Sequence, residues 1–209
     1  MIKIDNITFS YNKKIKVFED YSLDIGEDLT FLTGINGAGK STLIRLIMGI
    51  LKPEKGAVYM DGRDIKKMKL SQLGKHNGYL FQNPDNMLFA NTVYEELSFP
   101  MLLNGEKEDV VRRKVEDALS LFGLQGRKED FPLTLSIGQR QRLALATIFM
   151  REPDRLLLDE PTSRLDYKMK GEFINLIKEL LSMGKGIIIA THDEELIRNL
   201  TGEIVELRR

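Results

Sequence analysis

The sequence predicts an α/β fold with a mainly parallel core sheet, an antiparallel β subdomain at the N-terminus and a helical insertion. Three observations carry this. Apolar runs over Leu29–Thr33, Arg155–Asp159 and Gly186–Thr191 have the continuous hydrophobicity of strands buried on both faces. The first 25 residues alternate polar and apolar, as half-exposed antiparallel strands do. Over residues 92–123 the composition shifts from β-branched residues to Leu, Glu and Lys at helical spacing. The expected organisation is one domain over 1–209, with 1–82 and 155–209 forming the α/β core and β subdomain, and 83–154 the helical subdomain.

Taken in order, Ile2, Ile4, Ile7 and Phe9 mark a first strand and Val17 to Ile25 a second. The short strand Leu29–Thr33 runs straight into Gly34. Ser41 to Ile50 carries Leu43, Ile44, Leu46, Ile47 and Ile50 on helical spacing, and Lys52-Pro53 is expected to close that helix. Gly56–Met60 and Gly78–Phe81 are further strands, separated by the turn signal Asp61-Gly62. Residues 92–123 form two helical pieces, in which Glu106 to Lys114 reads as a solvated face, and Ile137–Met150 is a third. A helix of roughly 15 residues between the strands at 155–159 and 186–191 makes a βαβ crossover. There is no internal repeat and no low-complexity segment.

The 209 residues include no Cys and no Trp, two His, and 31 Lys+Arg against 31 Asp+Glu. Disulfide frameworks, iron–sulfur clusters and thiolate zinc sites are thereby excluded. A net charge of zero argues against a protein that binds nucleic acid by neutralising phosphates, so no nucleic-acid partner is expected. The longest apolar runs fall far short of the ~20 residues of a membrane helix, and the N-terminus lacks the apolar core of a signal peptide.

Gly34-Ile-Asn-Gly-Ala-Gly-Lys40-Ser41 fits G-x-x-x-x-G-K-[ST], and it stands between a strand and a helix, where such a loop works. Gly37 and Gly39 let the backbone curl so that amide N–H groups point at phosphate oxygens, aided by the helix N-terminus. Lys40 supplies a full charge for the β- and γ-phosphates, and the Ser41 hydroxyl can ligate Mg²⁺. Asn36, Ala38 and Thr42 complete the loop. ATP and Mg²⁺ are the ligands expected.

Leu156-Leu157-Leu158-Asp159-Glu160 is a buried strand ending in two carboxylates. Alone, such a pair would be read as the negative charge of a helix N-terminus. With a phosphate loop in the same chain, Asp159 is placed to hold Mg²⁺, directly or through water, and Glu160 to act as base or water-positioning group. His192 follows an apolar strand at its C-terminal end, where open α/β sheets put their ligands, and suits a γ-phosphate sensor. His76 reads as an ordinary polar residue.

With these residues in place the chain resembles the nucleotide-binding subunit of an ATP-binding cassette (ABC) transporter, a P-loop NTPase cassette, over nearly its whole length. The resemblance implies that Tyr11 stacks on adenine and that Gln82 approaches Mg²⁺ and the attacking water and signals to a membrane partner. Leu135-Ser136-Ile137-Gly138-Gln139, continued to Leu145, resembles the family signature, with Ser136 and Gly138 offering a hydroxyl and an amide to the γ-phosphate and Gln139 beside them. Asp159 and Glu160 match the Mg²⁺ aspartate and catalytic glutamate, and His192 the switch histidine. Ser163-Arg164-Leu165-Asp166 resembles the loop that crosses a dimer interface. Ile137 stands where the family usually has a Gly, and Arg164 where it has a small residue; the sequence offers no account of Arg164.

In this family ATP lies between one subunit's phosphate loop and the other's signature, so one set of motifs implies half an engine. The expected partners are a second ATPase subunit, identical or closely related, and a transmembrane subunit docking near Gln82–Phe89 on the cytoplasmic face of the membrane.

Phe81-Gln82-Asn83-Pro84-Asp85-Asn86-Met87-Leu88-Phe89, extended by Thr92 to Phe99, resembles the energy-coupling-factor group, whose ATPases serve importers of vitamins or of cobalt or nickel ions. Met87 departs from a Gln common there. The stretch Met87 to Phe89 and Phe99 to Leu103 is either helical core or a groove for a partner's amphipathic helix. Alternatives are the ATPase of another ABC class, including an exporter, and a soluble P-loop regulator. Cassettes acting on DNA or ribosomes generally add a coiled coil or a second cassette, for which 209 residues leave no room. A P-loop kinase would share Gly34–Ser41 alone.

Overall fold

The computed structural model describes residues 1–12, 14–26 and 28–208. Two sheets share the chain. The antiparallel sheet has the order β2-β1-β4-β5, from β1 (Ile2–Tyr11), β2 (Ile15–Ile25), β4 (Lys55–Met60) and β5 (Arg63–Asp64). The parallel sheet runs β6-β7-β8-β3-β9, from β3 (Leu29–Thr33), β6 (Asn77–Leu80), β7 (Arg155–Asp159), β8 (Gly186–Ala190) and β9 (Glu203–Glu206). All four of its pairings are parallel.

Strand alternation divides the interior into two cores. Phe31, Leu156, Leu158, Ile187 and Ile189 face one way, onto α3 (Val93–Leu103), α4 (Glu108–Leu121), α5 (Ile137–Phe149) and α6 (Tyr167–Ser182). Leu32, Leu157, Ile188 and Ala190 face the other way, onto α1 (Lys40–Ile47) and the apolar face of the antiparallel sheet, Ile2, Ile4, Ile7, Val58 and Met60. The central helix α1 buries Leu43, Ile44, Leu46 and Ile47, as expected of a helix enclosed on most sides. Both faces of the parallel sheet are covered, which is why its strands read as unbroken apolar runs. Among the described residues no helix is long and apolar enough to cross a membrane.

Several elements differ from the sequence reading. The first helix stops at Ile47 rather than Ile50, and Pro53 is not what closes it. Gly49, at φ 67°, takes the left-handed position, while its N–H donates to the Leu46 carbonyl and that of Ile50 to Arg45, a glycine-terminated helix end. Asp61-Gly62 is a turn, but it joins β4 to the two-residue β5 and not to β6, which lies in the other sheet. The short helices α2 (Leu70–His76) and α7 (Glu194–Asn199) and the edge strand β9 were not expected.

Parallel register sets the stage for chemistry. Leu32 and Asp159 both pair with Ala190, so the C-terminal ends of β3, β7 and β8 stand level at one edge. Gly34, Glu160 and His192 leave the sheet there, which is where open α/β sheets gather ligands.

Candidate functional site

The loop from Gly34 to Gly39 turns on three glycines at positive φ: Gly34 (135°), Gly37 (84°) and Gly39 (102°). Two are also close approaches. A Cβ on Gly34 would lie 2.6 Å from the Leu207 carbonyl oxygen, and one on Gly39 2.8 Å from Val17 Cγ1. Any side chain there would move the loop off β2 or off the end of β9. Gly37 meets nothing within 4 Å and opens outward. Ala38 turns its methyl into the core, so only its backbone can serve a ligand.

Tyr11, Asn36, Gly37, Gly39, Lys40, Ser41, Thr42, Gln82 and Glu160 line one open cleft of about 330 Å³, with Ile15 and Val17 as its apolar wall. Tyr11 is held toward the loop by a 3.2 Å hydrogen bond between its hydroxyl and Thr42 Oγ1 and by an edge-on contact with Phe9, centroids 5.1 Å apart. Ile15 and Val17 escaped the sequence reading; their alternation on β2 gave only the usual signal of a strand face.

The charged groups are tightly interlinked. The Lys40 ammonium, buried, donates to the Gly34 carbonyl at 2.8 Å and lies 3.6 Å from Glu160 Oε1. The Ser41 hydroxyl donates to Asp159 Oδ1 at 2.8 Å, and Tyr79 to Asp159 Oδ2 at 3.2 Å. His192 Nδ1 sits 3.0 Å from Glu160 Oε1, with 62% of the His192 side chain exposed against 10% for Glu160. Glu160 itself has φ 47°, a left-handed conformation that an L side chain adopts at a cost of roughly 1–2 kcal/mol. Its N–H is tied to the Ala190 carbonyl at 2.8 Å, which fixes the carboxylate over the end of β8.

Burial pushes Asp159 above the usual carboxylate range, against the opposing hydrogen bonds from Ser41 and Tyr79 and the field of Arg45. Burial, reinforced by the Asp159 charge, pushes Tyr79 up to about 12, so it remains a hydroxyl donor. Behind Glu160, burial acts to raise Asp193, but Lys170 at 2.7 Å, the Thr162 hydroxyl and the Leu196 amide hold it below its ordinary value. Tyr79 and Arg45 were not anticipated; a lone Tyr in the apolar strand 77–80 was the available signal.

Ser136, Gly138, Gln139 and Asp166 lie away from this cleft. Ser136 caps α5, accepting from the Gln139 N–H at 3.3 Å while Gln139 Oε1 accepts from the Ser136 N–H at 2.9 Å, a reciprocal capping box. Gly138 is buried against Met169, whose sulfur would stand 3.0 Å from an added Cβ. Asp166 caps α6, accepting from the Met169 N–H at 2.8 Å. The apolar stretch splits: Leu88 and Met101 are core, whereas Phe89, Phe99, Leu102 and Leu103 are exposed. Phe89 and Phe99 meet edge to face at 5.0 Å. The backbone leading to Phe89 is held from beneath by buried Glu96, whose Oε2 accepts from the Phe89 and Ala90 N–H groups.

The family model described as "ABC transporter" matches residues 18–163. A Pyrococcus furiosus protein, provisionally named an ABC transporter ATP-binding protein, is 39% identical over 207 residues, covering 99% of this chain and 80% of the relative. Among solved structures, CbiO1 of Clostridium perfringens, part of the ABC transporter complex CbiONQ, superposes with a TM-score of 0.91 at 33% identity, covering 99% of this chain and 84% of that one. The cassette MJ0796, in a dimeric post-hydrolysis state bound to ADP and Pi, gives a TM-score of 0.85 at 28% identity over 100% of this chain and 94% of that one.

Proposed function

Because the chain belongs to the ABC transporter family, as an ATP-binding subunit that hydrolyses ATP, we propose that the cleft lined by Asn36, Gly37, Gly39–Thr42, Gln82 and Glu160 is where that hydrolysis occurs. The observation that carries this is the linked set Ser41–Asp159 and Lys40–Glu160–His192 at the level edge of the sheet. The loop amides and Lys40 bind the phosphates, and Tyr11 with Ile15 and Val17 receives the base.

The donor set also fits a divalent cation. A hydroxyl and a buried carboxylate whose charge is disfavoured by burial stand 2.8 Å apart, with Gln82 on the same cleft. Ser41, Asp159 and Gln82 would hold Mg²⁺, which supplies charge neutralisation at the transferring phosphoryl group. Glu160 orients the attacking water and accepts its proton, and His192 holds the Glu160 carboxylate in place. Glu160→Gln should lower phosphate release about 10²- to 10⁴-fold with Mg-ATP binding retained. Unchanged release would remove Glu160 from this role.

Ser136, Gly138, Gln139 and Asp166 serve the ATP of a second subunit, a reading supported by their distance from their own cleft and by the dimeric state of the MJ0796 relative. Partnership with a transmembrane subunit of an energy-coupling-factor-type importer is favoured by the likeness to CbiO1 and by the exposed Phe89, Phe99, Leu102 and Leu103 in the segment that follows Gln82 in the chain. Phe89→Glu should abolish co-purification with the membrane partner while leaving ATPase activity intact; retained association would move the docking surface elsewhere.

A further inference from the structure

Arg164 occupies the loop after Glu160, at a position where a small residue was expected. Its Nη1 donates to Asn83 Oδ1 at 2.7 Å and lies 3.5 Å from Asp85 Oδ2. The second oxygen of Asp85 accepts from Arg140 Nε at 2.6 Å, near the start of α5. Asn83 is itself engaged, since its Oδ1 also accepts from the Asp85 N–H at 3.3 Å. The turn following Gln82 is therefore gripped by one arginine from α5 and one from the loop after β7.

The other end of the Arg164 linkage is short and stiff. Ser163, its neighbour, donates both its hydroxyl and its N–H to the Glu160 carbonyl, at 3.0 and 3.2 Å, and the Leu165 N–H closes the loop on Thr162 at 3.1 Å. Glu160 sits at φ 47°, an unfavourable conformation that persists only where its surroundings hold it, so the contacts on its carbonyl are part of what places the carboxylate. With 40% of the Arg164 side chain exposed, an ion pair of this kind contributes little to stability. What it supplies is geometry.

We propose that Arg164 is a positioning residue that ties the Asn83–Asp85 turn to the backbone of Glu160, so that displacement of this turn by a docked partner moves the catalytic carboxylate. This rests on the readings of Glu160 as base and of the segment after Gln82 as a docking surface. Removing Arg164 leaves Asp85 paired with Arg140, so the turn keeps its fold and the variant tests the linkage rather than folding.

The test compares amide hydrogen exchange at Ser163 and Leu165 in the unmodified chain, Asn83→Ala, Arg164→Ala and the double variant, together with steady-state ATP hydrolysis. Arg164→Ala should speed exchange at these amides about threefold, Asn83→Ala by less because the Asp85 contact remains, and the double variant no further than Arg164→Ala, because both contacts run through this one side chain. Arg164→Ala should lower kcat about tenfold with KM for ATP within twofold, and Arg164→Lys should recover part of it. Unchanged exchange in Arg164→Ala, a double variant that exchanges faster than Arg164→Ala, or a wild-type kcat in Arg164→Ala would each overturn the proposal. Full hydrolysis by Glu160→Gln would instead overturn the role of Glu160, and the exchange linkage separates the two failures.

Discussion

In the reading proposed above, the phosphate-loop corner and the start of α5 both meet ATP, yet they are finished to different degrees. At the loop, Lys40, Ser41, Asp159, Glu160 and His192 are crowded, with the Asp159 carboxyl pushed up by burial and Glu160 in a left-handed conformation. At α5, Ser136 and Gln139 satisfy one another in a closed capping box, and Gly138 lies flat against Met169. One region carries unresolved charge and strain, the other is locally at rest. The loop corner thus keeps its carboxylates crowded and one residue strained at the proposed ligand site, whereas the start of α5 is complete in itself.

The largest effect that could break this contrast is loss of the loop's cation. Lys40→Met should weaken ATP binding about 100-fold, equivalent to ~2.7 kcal/mol, since it deletes a buried charge aimed at phosphates. Calorimetric titration measures it, and an unchanged affinity would show that the loop amides suffice alone.

Mixing two dead variants sharpens the contrast further. Ser136→Asp puts a negative charge where phosphate is to be received while still able to accept the cap hydrogen bond, so α5 should persist and hydrolysis should not. Combined one to one with Lys40→Met, half of the dimers are mixed and each has one intact site, so activity should return to about a quarter of the unmodified level. If the signature served its own chain, the mixture would remain inactive.

The two regions were not equally legible in the sequence. Gly34–Ser41 and the Asp159-Glu160 strand end announce themselves because backbone curvature and metal ligation demand particular residue types at fixed spacing. Ser136–Gln139 carried no chemistry of its own and was identified only by resemblance. The parallel strands were visible as apolar runs, but β9, Glu203–Glu206, is a four-residue edge strand with Ile204 exposed, and nothing in its pattern distinguishes it from a loop. Side-chain partnerships across long separations, such as Tyr79 with Asp159 or Arg164 with Asn83, follow from sheet register and loop packing and leave no local trace. Arg164, unexplained in the sequence, is accounted for by where the Pro84–Met87 turn lies.

Opposite signs of stability change should separate the two regions next. Asp159 has its folded pKa raised above the unfolded value by burial, so the native state binds its proton more tightly and stability falls as pH rises through that window. Asp159→Asn should therefore raise the Tm of the nucleotide-free chain by a few degrees at pH 7, while abolishing the stabilisation conferred by Mg-ATP. Ser136→Ala should do the reverse, costing about 1 kcal/mol through loss of the cap. Thermal melts with and without nucleotide check both, and a destabilised Asp159→Asn would mean that Ser41 and Tyr79 already compensate for burial.

The smallest effect lies behind the loop corner, where one carboxylate has been settled without a ligand. Asp193 caps α7 and is held below its ordinary pKa against burial by Lys170, Thr162 and the Leu196 amide. Its sign is the opposite of that at Asp159: the unfolded state binds the proton more tightly, so the contribution is present above the unfolded value of 3.8 and is lost as pH falls through the lower folded pKa. Lys170→Met should cost up to about 1 kcal/mol at pH 7, and the gap to the unmodified chain should close on acidification. Urea titrations at pH 7 and in steps downward through the acid range measure it. A gap that persists at the acid end would trace the loss to packing of the Lys170 stem instead of to its charge, and would leave Asp193 as dependent on outside help as Asp159.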